Sequence, residues 1–197
     1  ELVTERQKVS IIYDKDGVAL DSIAAHLLAK DIERVSGYLP QVTTAINSVS
    51  GNAIVIGSQA SDLIQSFSEA TTPKQEAWES YTLKLVKPKS SPIKNALVIA
   101  GADARGTAYG VFDISEKIGV SPWYWWADVV PEKQEELTLE VSSFQSKSPQ
   151  VKYRGIFLND EDWGLQPWAE HTFEPETGDI GPKTYAKIFE LLLHLKA

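Results

Sequence analysis

The chain has 197 residues, of which 43% are apolar, 23% charged and 10% aromatic. That length holds one large domain, or one domain and part of another, and the composition excludes a disordered tail, a collagen and a disulfide-stapled mini-protein. Nineteen Lys and Arg against 27 Asp and Glu leave a net charge of −8, which disfavours a nucleic-acid partner, and the absence of Cys excludes a thiol nucleophile and Cys-ligated zinc.

No apolar run approaches the ~18 residues of a membrane helix, so no membrane span is expected. The chain also lacks Met, so Glu1 is not a translation start. It reads as a mature product or an excised piece, with any signal peptide already removed.

The first half reads as alternating strands and helices. Val9-Ser-Ile-Ile-Tyr13 is a short strand ended by the turn cluster Asp14-Lys-Asp-Gly17. Ile23, Leu27, Leu28, Ile32 and Val35 then recur at helical spacing, with Asp21 or Ser22 as cap. Gly37 stands where a helix ends and Pro40 blocks continuation. Residues 41–44 form a short strand, Ala53-Ile-Val-Ile56 a buried one, and residues 61–67 a short helix capped by Ser61.

Residues 68–79 are polar, lack periodicity and read as a loop. Tyr81-Thr-Leu-Lys-Leu-Val86 and Leu97-Val-Ile-Ala100 are strands. A helix then runs to Ile118, with Ala108, Val111, Phe112, Ser115 and Ile118 on one face and Gly119 as its stop. The order β-α-β-β-α-β-β-α predicts a mixed sheet with helices packed on it.

Beyond the cluster Trp123-Tyr-Trp-Trp126, the alternation of Leu137-Thr-Leu-Glu-Val141 predicts a strand, and residues 144–149 read as a linker. Arg154-Gly-Ile-Phe-Leu158 reads as a buried strand and residues 182–196 as a helix, with Tyr185, Ile188, Phe189, Leu192 and Leu195 on its apolar side. One strand, a long loop and one helix cannot bury their own faces, so this segment reads as the opening of a larger α/β domain.

Asn159-Asp160-Glu161-Asp162-Trp163-Gly164 follows that last strand. A carboxylate beside an indole is a sugar-binding combination: the acid binds hydroxyls or moves protons, and the ring stacks on the pyranose face. The alternative is a solvated acidic turn. Asp160, Asp162 and Gly164 loosely match the start of a calcium loop, but position 171 is His where that loop needs Glu. Between Gly155 and Gly181 there is no Lys or Arg, while seven acids fall between Asp160 and Asp179. A loop of this length is usually functional.

The Trp123–Trp126 cluster is either a sugar platform or a seam between domains. Arg105-Gly-Thr-Ala-Tyr-Gly110 could bind an anion, but close helix–sheet packing through Gly106 and Gly110 explains it better. It fits neither a Walker nor a Rossmann loop. His26 and His194 read as solvated or boundary residues. With His171 they form no metal or triad spacing.

Four stretches carry a resemblance: Gly101-Ala-Asp-Ala-Arg-Gly-Thr-Ala-Tyr-Gly-Val-Phe112, Gly119-Val-Ser-Pro-Trp-Tyr-Trp-Trp-Ala-Asp128, Tyr153-Arg-Gly-Ile-Phe-Leu-Asn-Asp-Glu-Asp-Trp-Gly-Leu-Gln-Pro-Trp168 and Gly178-Asp-Ile-Gly-Pro-Lys-Thr-Tyr185. In this order they closely resemble the N-terminal part of glycoside hydrolase family 115, the xylan α-1,2-glucuronidases. The resemblance implies an α/β protein: a non-catalytic mixed-sheet domain over residues 1–146, then the first βα unit of a truncated (β/α)8 barrel over residues 151–197.

It further implies an inverting hydrolase that releases glucuronic or 4-O-methyl-glucuronic acid from glucuronoxylan. Such a mechanism needs one carboxylic acid for the leaving oxygen and a second carboxylate, ~6.5–9.5 Å away, to activate water. Carried over onto the motif, Asp160 and Glu161 are the catalytic candidates, with Asn159, Trp163, Trp125 and Trp126 binding substrate. Neither a metal nor a cofactor is expected. The parent enzyme is expected to be periplasmic or extracellular and a homodimer, and this 197-residue chain alone inactive. Two alternatives stand beside this: a carbohydrate-binding or docking module built on the tryptophan cluster, and a related hydrolase acting on another sugar.

Overall fold

A computed structural model describes residues 1–67, 78–89, 91–159 and 161–197. The chain divides into two compact units, Glu1–Gln150 and Val151–Ala197.

In the first unit the elements follow the expected order. They are β1 (Ser10–Tyr13), α1 (Ala19–Ser36), β2 (Val42–Thr43), β3 (Gly51–Ser58), α2 (Asp62–Ser66), β4 (Tyr81–Val86), β5 (Ile93–Gly101), α3 (Ala104–Lys117) and β6 (Phe144–Gln145). Six strands form one sheet in the order β2-β1-β3-β5-β4-β6. Strands β2, β1, β3 and β5 pair in parallel; β4 runs antiparallel to both β5 and β6.

Strand alternation sorts the apolar residues onto two faces. Ile12, Ala53, Val55, Val98 and Ala100 pack with Ile64 and Phe67 around α2. On the other face Ile99 and Tyr81 lie against Gly110 of α3, and α3 packs on α1. Both faces are buried, so β3 and β5 read as continuous apolar runs, the pattern of a covered parallel sheet.

Gly106 and Gly110 serve packing, as their spacing suggested. A Cβ at Gly106 would overlap the backbone carbonyl oxygen of Ser80, and one at Gly110 would sit 2.7 Å from Ile99 Cγ2. Two stop signals also hold: Gly37 lies at φ +76° and donates its amide to the Glu33 carbonyl, and Gly119 lies at φ +98°. Ser61 caps α2 by accepting the Ile64 amide.

Several expectations are corrected. Helix α1 starts at Ala19 after Val18, without a side-chain cap, so neither Asp21 nor Ser22 caps it. Its buried row is Asp21, Ala24, Ala25, Leu28, Ala29, Asp31, Ile32 and Val35, and Ile23 is exposed. The expected strand at 137–141 reduces to one bridge between Leu137 and Val3, with Leu137 buried. Part of the expected linker at 144–149 is β6, which pairs with the outer edge of β4. An edge strand borrows its ladder from its neighbour and needs no apolar signal of its own. Of the loop expected at 68–79, residues 68–77 lie outside the described residues.

In the second unit, α4 (Leu165–Trp168) runs into a π-helical turn at Ala169–Phe173, and α5 (Pro182–His194) follows with Pro182 in its first turn. The expected long loop is therefore partly helical. Residues 154–158 have no ladder partner among the described residues and do not form the expected strand. An isolated strand has nowhere to send its backbone hydrogen bonds. Tyr153 and Phe157 are accordingly 86% and 89% exposed.

Helix α5 buries Thr184, Ile188, Leu191 and His194. Tyr185 and Phe189, expected inward, are exposed, and His194, expected at a wet boundary, is buried.

Candidate active site

The candidate residues fall into two groups, one in each unit. In the second unit, Asn159, Glu161 and Trp163 are exposed, and Asp160 lies outside the described residues. Glu161 and Trp163 are brought together: the indole Nε1–H donates to Glu161 Oε2 at 2.8 Å, and the Trp163 amide lies 2.6 Å from the Glu161 carbonyl oxygen. A tight turn thus fixes the ring through its own acid. Gly164 follows at φ +77°, a conformation that favours glycine, and turns the chain into α4.

Beyond the turn, Gln166 donates to Glu170 Oε2 at 3.1 Å, and the same oxygen lies 3.9 Å from His171 Nε2. Trp168 stacks on Phe173, ring centres 5.2 Å apart. These rings pack the loop.

Glu174 is buried, and its carboxylate accepts from the amides of Lys183 and Thr184 and from the Thr184 hydroxyl. Burial pushes this carboxyl up, but the three hydrogen bonds, with help from the Lys183 charge, hold it below the ordinary value. It closes the N-terminus of α5 from outside the helix. The sequence reading missed this cap, because an acid ten residues upstream leaves no local periodic signal. Lys183 also pairs with Glu176.

In the first unit, residues 122–127 form consecutive turns, with the Ala127 amide on the Trp123 carbonyl at 2.9 Å. Trp125 and Trp126 meet edge to face, ring centres 4.8 Å apart at 87°. The Arg34 guanidinium lies 4.3 Å over the Tyr124 ring and donates to the buried Asp31 at 2.7 Å. Trp123 is 46% exposed.

Arg154 and Arg105, cations suited to an acidic sugar, are both engaged within the chain. Arg154 donates to the carbonyls of Val151 and Lys196. Arg105 pairs with Glu79 at 3.0 Å and donates to the Tyr109 hydroxyl. Among the described residues, no three or more His, Cys, Asp or Glu side chains are gathered to hold a metal ion, and no helix is long and apolar enough to cross a membrane.

Residues 146–197 match the family model of Glycosyl hydrolase family 115. A solved structure described as "a novel family GH115 4-O-Methyl-alpha-glucuronidase, BtGH115A, with specificity for decorated arabinogalactans" is similar to the whole chain. The match has a TM-score of 0.79 and 38% identity, covering 99% of this chain and 25% of that one. A GH138 enzyme targeting pectin rhamnogalacturonan II matches with a TM-score of 0.52 and 12% identity over 96% of this chain and 18% of that one, a likeness of fold alone. Among curated proteins no match is found. The chain spans a quarter of the length of the glucuronidase structure it matches. With its final third on the family model and its whole length on a family structure at this identity, the chain belongs to glycoside hydrolase family 115.

Proposed function

We propose that this chain is the N-terminal part of an inverting glycoside hydrolase that releases glucuronic or 4-O-methyl-glucuronic acid from a polysaccharide, glucuronoxylan in the first instance. Residues 1–146 supply a non-catalytic α/β domain, and residues 151–197 supply the first strand, loop and helix of the catalytic barrel. The single observation that carries the reading is the 38% identity, over 99% of this chain, with a structure described as a 4-O-methyl-alpha-glucuronidase.

The exposed apolar side chains around residues 153–158 support the barrel assignment, since a barrel strand buries such residues against its neighbours. The Glu161–Trp163 contact supports a division of roles between the two acids. Glu161 accepts a hydrogen bond from the indole and orients the ring as one wall of the sugar site; Asp160 is left as the group that moves a proton. Asn159 supplies a hydroxyl-binding amide. With Arg105 and Arg154 engaged, the cation that meets the uronate comes from residues outside this chain. A polysaccharide substrate places the enzyme in the periplasm or outside the cell.

The test is an assay on aldouronic acids with the 197-residue chain and with the whole protein. Turnover by the whole protein and none by the short chain is expected. Turnover by the short chain would overturn the assignment of the remaining catalytic groups to other parts of the protein. Running glucuronidated xylan beside glucuronidated arabinogalactan decides the polymer, because the similar structure is described as specific for decorated arabinogalactans.

The exposed Trp123 favours one second reading, a sugar platform at residues 123–126. Xylan affinity of the chain that is lost in Trp125→Ala and Trp126→Ala would support it.

A further inference from the structure

Strand β1 leads through α1 to β2 on one side, while β3 pairs with β1 on the other, so the strand order reverses at β1. In open α/β sheets the crevice outside the carboxyl ends of the strands at such a point takes ligands. Here that crevice is a cleft of about 470 Å³, walled by Asp14, Asp16, Asp21, Ser58, Ser61 and Asp62.

We infer that this cleft binds an organic ammonium group, held by Asp21 and Asp14 with the Ser58 and Ser61 hydroxyls beside them.

Asp21 is the observation that an acidic surface alone would lack. It is 2% exposed, lines the cleft, and its Oδ1 has no hydrogen-bond partner. Buried carboxylates ordinarily have partners, because an unpaired one is costly. The neighbouring backbone is shaped around it: a Cβ at Gly17 would overlap Asp21 Oδ2, so glycine lets the turn close over the carboxyl. Burial, and then the Asp14 charge, push Asp21 up to about 6, so at pH 7 it is mostly an ionised group awaiting a donor.

Charge selects the ligand class. Four aspartates wall the cleft, and no Lys or Arg is among the lining residues. Lys15, on the same turn, lies 3.7 Å from Asp16, which leaves Asp14, Asp21 and Asp62. No three acids among the described residues converge as metal ligands, which disfavours a divalent cation. An ammonium group brings a compact positive charge and three N–H donors, and can pair with carboxylates that do not converge on one point. The cleft is within the usual range for small-molecule sites. This reading does not rest on the proposed hydrolase activity.

The test is an amide NMR titration of the ¹⁵N-labelled chain at constant ionic strength, with 1,4-diaminobutane and with Nα-acetyl-lysine amide as probes. Saturable shifts at Gly17, Asp21 and Ser61 are expected, weakened at least ~10-fold by Asp21→Asn. Asp14→Asn should weaken binding similarly, and it decides the matter if Asp21→Asn does not fold. Tighter binding of the diamine identifies a free amine as the source; tighter binding of the lysine amide identifies a protein side chain. No saturable shift, equal shifts with NaCl, tighter binding of CaCl₂, or unchanged binding in the folded variants would each overturn the inference.

Discussion

Glu174 and Thr184 are joined twice: one carboxylate oxygen accepts from the Thr184 amide at 3.0 Å and from its hydroxyl at 3.1 Å. The other oxygen takes the Lys183 amide at 3.1 Å, so one acid outside α5 satisfies two amides that the helix leaves open. Because a Cβ at Gly181 would overlap the same carboxylate, Gly181→Ala displaces the cap as surely as removing the acid. Both Glu174→Ala and Gly181→Ala are expected to lower the melting temperature of the second unit, and Lys183→Ala to lower it less.

The same acid sets a pH dependence. The folded Glu174 titrates below its ordinary value of 4.5, so its stabilisation is full above that pH and lost as pH falls through the lower folded value. Circular dichroism at 222 nm should show helix loss that begins below about pH 4.5. A Glu174→Gln variant that loses helix with the same acid profile would show that another group governs it.

Asp21 has the opposite sign. Its folded value of about 6 lies above the ordinary 3.8, so the native state holds the proton more tightly and gains stability as pH falls through 6. At pH 7 the buried charge weakens the fold. Asp21→Asn is expected to stabilise the chain by about 1–2 kcal/mol at pH 7, with the advantage gone near pH 4. Urea midpoints measured at both pH values check this; a constant difference would refute it.

The close approach of α3 to the sheet predicts a hierarchy among glycines. Gly106→Ala drives a methyl into the Ser80 backbone, which cannot rotate away, and should destabilise by about 2–3 kcal/mol. At Gly155 a Cβ meets nothing within 4 Å, so Gly155→Ala should leave thermal stability unchanged. Differential scanning calorimetry of the two variants tests the contrast.

If Glu161 orients Trp163 in the whole enzyme, Glu161→Gln keeps the side chain's shape but weakens a charge-assisted bond. About a tenfold rise in KM with kcat little changed is then expected, equivalent to ~1.4 kcal/mol of binding. A collapse of kcat alone would instead assign Glu161 to the proton transfer.

Every strand and α-helix of the first unit up to α3 was legible in its order, while the short 3-10 turn at Ile46–Ser48 was not. β3 and β5 are apolar on both faces, Gly37 and Gly119 act through local backbone geometry, and Ser61 acts through a local side-chain cap. Helix faces were less legible. The rows expected for α1 and α5 hold in part: Leu28, Ile32, Val35 and Ile188 are buried, whereas Ile23, Tyr185 and Phe189 are exposed. In α1 the buried row is largely small, with Ala24, Ala25 and Ala29 buried while the bulkier Ile23 is exposed. In α5 the buried row starts at Thr184, which Glu174 holds. β6 was hidden because it is two exposed residues that pair with the edge of β4. At the candidate site the acid–indole composition was visible, but the 2.8 Å bond between Trp163 and Glu161 was not.

By itself the sequence determined the class of fold, the element order, the helix stops and the family to which the motifs belong, since these follow from nearest-neighbour geometry and residue pattern. Tertiary structure alone decided which carboxylates have partners. Glu174 is satisfied by α5, whereas Asp21 is buried with Oδ1 lacking a hydrogen-bond partner. Two acids that count alike toward the chain's net charge of −8 can thus differ wholly in role. Composition counts charges, whereas solvation and hydrogen bonding are set by what the fold brings within about 3 Å.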